Sequence, residues 1–118
     1  MSGLEGGFWK LFALSLKSII INIKVRKGEF MEIKIEKPTQ EKLKELGVEN
    51  WPIWECDVSE FDWYYDTDER CYMIEGKVVV ETPQGEVEIK KGDLVLFPKG
   101  LSCRWKVKEK IRKYYSLE

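Results

Sequence analysis

Two stretches decide how this chain is read: Asp68-Glu69-Arg70-Cys71-Tyr72-Met73-Ile74-Glu75-Gly76 and Lys91-Gly92-Asp93-Leu94-Val95-Leu96-Phe97-Pro98-Lys99-Gly100. Each holds a short apolar run bounded by glycine or by a Pro-Lys-Gly turn, and many short strands with such turns build a sandwich or a barrel. Side chains two apart on a strand share a face, so Glu69, Cys71 and Met73 point one way. Working outward, strands are expected near 51–58, 60–65, 71–75, 77–82, 86–90, 93–97, 102–107 and 111–117. Thr82-Pro83-Gln84-Gly85 has Pro and Gly at the second and fourth positions, as a type I turn prefers. The Lys106-Val107-Lys108-Glu109-Lys110 run reads as a solvated turn. Glu32-Ile33-Lys34-Ile35-Glu36 alternates with the period of a half-buried strand.

One short helix is expected after Pro38. Thr39 suits the N-cap, Glu41 the electropositive first turn, and Gly47 a left-handed C-cap that brings Val48 to Leu43. Leu43 and Leu46 share a face, so the helix reads as a lid on one barrel end.

The chain has 118 residues and 14.0 kDa, enough for one core. With 20 Lys+Arg against 21 Asp+Glu, its net charge of −1 argues against nucleic acid as a partner. The 35% of charged residues, mostly Lys and Glu, resembles a thermophile's composition. There is no histidine. Ser-His-Asp and Cys-His catalysis are therefore excluded, as is any metal site that needs imidazole. An acid or base must be Asp, Glu, Lys, Tyr or Cys. Cys56, Cys71 and Cys103 are odd in number and form no C-x-x-C, which suits reduced thiols in the cytoplasm.

Residues 8–25 are largely apolar, but Lys10, Lys17 and Lys24 interrupt them, a poor membrane span. Arg26-Lys27-Gly28-Glu29 is what a purine-rich stretch like a bacterial ribosome-binding site encodes when translated in frame. Met31 follows, and the compact pattern begins there. The expectation is that 1–30 form an N-terminal extension, a mis-called start, and that 31–118 form the domain.

The two opening stretches resemble the motifs of the cupin superfamily. Glu69, six residues and Gly76 match the end of the first motif, and Gly92, Pro98 and Gly100 match the second. The likeness runs from about Trp51 to Leu117. It is closest to the small single-domain group (DUF861 or Cupin_3 type) that includes ureidoglycine aminohydrolase-like cupins, through Phe61-Asp62-Trp63-Tyr64-Tyr65-Asp66 and Phe97-Pro98-Lys99-Gly100. The resemblance implies an all-β fold: a small jelly-roll β-barrel with one short helix near the N-terminus. It also implies dimerisation, so a homodimer is a candidate assembly. Metal-bearing cupins use two histidines and the glutamate of the first motif, and the histidine of the second. Here those positions fall at Trp63 and Tyr65 (or Asp62 and Tyr64), Glu69 and Cys103. Only Glu69 is unchanged, so no cofactor is expected, and any metal would rest on Glu69, Cys71 and Cys103.

If Glu69, Cys71 and Met73 face inward together with Cys103 and Trp105, the barrel interior is a small-molecule pocket. Trp63, Tyr65, Glu69, Cys71, Cys103 and Trp105 are then the candidate ligand contacts. The remaining aromatics, Trp51, Trp54, Tyr64 and Tyr72 among them, fit core or interface packing. Glu69 is the candidate acid or base, unless Arg70, Arg104 or a tyrosine hydroxyl satisfies it structurally. Three functions follow: binding of a sugar- or ureide-like metabolite, a metal-independent or atypical-metal hydrolase or isomerase that uses Glu69, and a homodimeric interaction module.

Overall fold

The computed structural model describes residues 31–118. The apolar 8–25 segment and Arg26-Lys27-Gly28-Glu29 lie outside the described residues. Seven strands form one antiparallel sheet that curls around a core: β1 (Lys34–Glu36), β2 (Ile53–Cys56), β3 (Ser59–Tyr64), β4 (Glu69–Thr82), β5 (Gly85–Lys90), β6 (Leu94–Phe97) and β7 (Ser102–Leu117). The long strands β4 and β7 pair with each other along most of their length. β6 and β5 continue the sheet on the far side of β4, β1 extends β6, and β2 and β3 both pair with β7. Among the described residues no helix is long and apolar enough to cross a membrane.

Two expected strand pairs are each a single strand. The 71–75 and 77–82 runs join as β4, and 102–107 joins 111–117 through the lysine-rich run that was expected to be a turn. What looks like a break in β4 is a bulge. Gly76 has φ 92°, and the β4–β7 register slips on both sides of it. A Cβ on Gly76 would overlap the Lys110 carbonyl, so the close approach of the two backbones needs glycine there. Across the bulge the buried positions change phase: Glu69, Cys71 and Met73 are buried before it, Val78 and Val80 after it.

The two motif stretches are stitched together by their backbones. Gly92 N–H donates to the Met73 carbonyl (2.9 Å) and Met73 N–H donates to the Asp93 carbonyl (3.0 Å). Asp93 is itself buried, accepting from Lys90 N–H at 2.8 Å and pairing with Lys37 at 2.6 Å. The second turn is fixed similarly, with Gly100 N–H donating to the Tyr65 carbonyl (2.6 Å) and Tyr65 N–H to that of Leu101 (2.9 Å).

The helix α1 (Gln40–Leu46) is capped as its sequence requires. The Thr39 hydroxyl accepts from Lys42 N–H at 3.1 Å, and Gly47 has φ 69°. None of its residues is buried; the 3₁₀ turn at Val48–Asn50 makes the contact with β7 and buries Val48. The core collects Tyr65, Met73, Val78, Phe97, Trp105 and Ile111 with their neighbours.

Candidate functional site

β7 contributes more of the cavity lining than any other strand, including Trp105 and Lys113 from its inward face. Cys103, Trp105, Val107, Ile111 and Lys113 alternate along the strand and are all buried. A cavity of about 210 Å³ opens between this face and the inward faces of β2 and β3. Trp54, Phe61, Trp63, Tyr65 and Trp105 provide most of its wall, and Glu69 and Lys113 lie together on it.

The rings brace one another. Tyr65 stacks on Phe97 at 4.7 Å and Phe61 on Trp105 at 6.1 Å. Trp54 meets Trp105 edge-on at 6.1 Å, and Trp63 meets Tyr65 likewise at 6.4 Å. Trp63 is 49% exposed and marks the mouth, whereas Trp105 is 2% exposed and lies deep. The indole N–H of Trp105 is buried and lies toward the Tyr65 hydroxyl and the Cys103 thiol without a well-formed hydrogen bond.

Among the described residues one ion pair has both partners buried, and it joins β4 to β7. Lys113 Nζ donates to Glu69 Oε2 at 2.6 Å, and the two side chains are 6% and 9% exposed. The ammonium also sits over Trp105 (4.9 Å), Trp54 (5.1 Å) and Phe97 (5.9 Å), within the range of cation–π attraction. Glu69 is thus satisfied by neither Arg70, Arg104 nor a tyrosine. Arg104 lies on the outer face, with Asp62 at 2.9 Å.

The structure brings four of the six expected ligand contacts to this cavity: Trp63, Tyr65, Glu69 and Trp105. The two thiols lie elsewhere. Cys71 is fully buried in the core, and Cys103 borders a separate shallow depression with Asp62, Tyr64 and Arg104. Burial pushes the Cys71 thiol up to about 11, with Lys113 opposing the rise. Burial also pushes Cys103 up to about 11, against the pull of the Trp105 indole. The Cys103 thiol donates to the Trp63 carbonyl at 3.7 Å. The Tyr65 phenol is held well above its usual range by burial, then by Glu69. Among the described residues no three Cys, Asp or Glu side chains gather as a metal site needs, so Glu69, Cys71 and Cys103 form none.

Lys113 was missed because it is one lysine among many in a segment read as two strands. A partial signal was present, since Cys103, Trp105, Val107, Ile111 and Lys113 keep one parity, interrupted by the exposed Glu109. Trp54 and Phe61 were visible as aromatics on predicted strands, but their faces were not assigned.

A small antiparallel barrel, with the Glu69–Gly76 and Gly92–Gly100 stretches stitched together beside an aromatic cavity, is a cupin. The model of the EutQ-like cupin domain, Cupin_3, matches residues 43–115, and the chain belongs to that family. A DUF861 family protein from Thermotoga maritima is 69% identical over 74% of this chain and 100% of its own, with a TM-score of 0.72. A DUF861 family protein of unknown function from Pseudomonas syringae pv. tomato is 26% identical over 56% of this chain and 29% of its own, with a TM-score of 0.52. The EutQ protein of Clostridium difficile shares the fold, at 22% identity over 79% of this chain and 73% of its own and a TM-score of 0.52. Comparison with the curated proteins gives no match.

Proposed function

We propose that this cupin binds a small, uncharged polar metabolite, sugar- or ureide-like, in the barrel cavity. The observation that carries this reading is a buried Glu69–Lys113 pair on the wall of an otherwise aromatic cavity of about 210 Å³. That volume lies below the ~300–1,000 Å³ of pockets for drug-sized ligands, so the ligand is about one ring in size. The rings supply flat stacking surfaces, and the pair supplies an acceptor and a donor. Because the pair is neutral as a unit, a charged ligand would leave a net charge in an apolar site, which is costly. Three free thiols suit a reducing, cytoplasmic compartment.

A thermal-shift screen of uncharged monosaccharides, lactones, ureides and matched carboxylates tests the reading. An uncharged compound is expected to raise the melting temperature and quench tryptophan emission, with at least tenfold weaker binding to Glu69→Gln. A response confined to the carboxylates, or equal binding to Glu69→Gln, overturns it.

An enzymatic reading is favoured by the second oxygen of Glu69, which has no side-chain partner among the described residues. Turnover of a bound compound, followed by NMR and abolished in folded Glu69→Gln, would establish it. An interaction module is favoured by exposed Ile53, Val58 and Tyr64 along the β2–β3 side, and would show as a concentration-dependent melting curve.

A further inference from the structure

The cupin motifs imply a divalent cation beside Glu69, and the residues present do not fit one. Trp63 offers an indole, which is no metal ligand. The Tyr65 phenol is stacked on Phe97 and held protonated by burial. The Cys103 thiol donates to the Trp63 carbonyl and does not line the cavity. Glu69 alone remains, and its Oε2 already bears an ammonium at 2.6 Å. A second cation there would meet like charge in a dry site, with a single anionic donor to hold it.

We propose that Lys113 takes over the place of the bound cation: a resident ammonium, caged by Trp54, Phe97 and Trp105, that neutralises Glu69 and offers hydrogen-bond donors to an oxygen atom entering the cavity. An ammonium has three N–H groups. Lys113 gives one to Glu69 and has no other hydrogen-bond acceptor among the described residues; what surrounds the rest is ring faces. Rings hold a cation without using up its directional donors as carboxylates would. The seat therefore combines a fixed positive charge with unspent N–H donors, which can attract an oxygen lone pair as an open coordination position on a metal would.

The test is chemical rescue in the full chain. Lys113→Ala removes the stem and charge together, a space that fits n-propylammonium. The melting temperature of Lys113→Ala is expected to fall by at least about 12 °C, since one partner of a buried pair is lost. Propylammonium is expected to restore at least half of that loss saturably; 1-propanol, its uncharged analogue, is not. Glu69→Gln/Lys113→Ala is expected to show no response to the amine. Equal rescue by propanol, or none by the amine, overturns the proposal, because Lys113 then only fills space. Folding of Lys113→Ala only with propylammonium present supports it. If that variant folds under neither condition, wild-type protein equilibrated with Mn²⁺, Ni²⁺ or Zn²⁺ decides. Uptake of one equivalent that Glu69→Gln abolishes overturns the proposal, and uptake of none upholds it. No metabolite enters these measurements, so a failed ligand search leaves their outcome intact.

Discussion

Arg112 and Lys113 follow one another on β7, and each takes its charge to a glutamate, but on opposite faces of the barrel wall. Arg112 Nε meets Glu55 Oε2 at 2.9 Å on the outside, where the side chains are 40% and 48% exposed. Lys113 meets Glu69 at 2.6 Å on the inside, where both are at most 9% exposed. The outer face is laced with similar pairs, among them Arg104 with Asp62 and Lys106 with Glu86. Water and salt screen those pairs, and each contributes little. The inner pair differs in kind. Desolvating two charges offsets most of their attraction, so an apolar pair of similar volume would serve stability as well or better. A charge pair kept on a cavity wall under those terms is what the proposed ligand binding would call for.

The comparison breaks most visibly at Lys113. Lys113→Met strands the Glu69 carboxylate among rings and is expected to lower stability by about 3–5 kcal/mol in urea denaturation. A loss below about 1 kcal/mol would mean that the inner pair behaves like the outer ones. Gly76→Ala comes next. It places a Cβ at φ 92° against the Lys110 carbonyl and should lower stability by more than about 1 kcal/mol. Its measured effect tells whether the bulge that sets the phase of β4 is rigid.

The thiols sharpen the contrast by pH. The thiols of the unfolded chain release protons near 9.0, whereas folded Cys71 and Cys103 hold theirs to about 11. Within that window the folded chain binds more protons, so stability should decline as pH rises from 9 toward 11. At pH 8 the fully buried Cys71, its thiol held above the usual range, should be alkylated far more slowly than half-buried Cys56, which peptide mass mapping should find labelled first. The smallest effect is at Arg112→Ala, expected within about 1 kcal/mol of wild type and further reduced in high salt.

Much of this architecture was legible in local chemistry. The helix caps at Thr39 and Gly47 and the turn glycines at 92 and 100 each encode a backbone requirement in one or two residues, and the structure has each as read. The division of β4 and β7 was not legible. Gly76 ends a strand by propensity, yet here it lets one strand bend without ending. The charged 106–110 run reads as loop by composition, but its lysines and glutamate are satisfied along a strand, Lys106 by Glu81 and Glu86. That misreading hid Lys113, whose partner is 44 residues away in the chain. Pairing across such a separation is a property of register, which depends on a bulge no single residue announces. Glu69 was visible from its motif; the cation that completes it was not.

The most direct test is a double-mutant cycle on Glu69→Gln and Lys113→Met, run beside one on Glu55→Gln and Arg112→Met. The account predicts a coupling above about 2 kcal/mol for the inner pair and below about 1 kcal/mol for the outer pair. Equal couplings, or an inner coupling below about 0.5 kcal/mol, would contradict it.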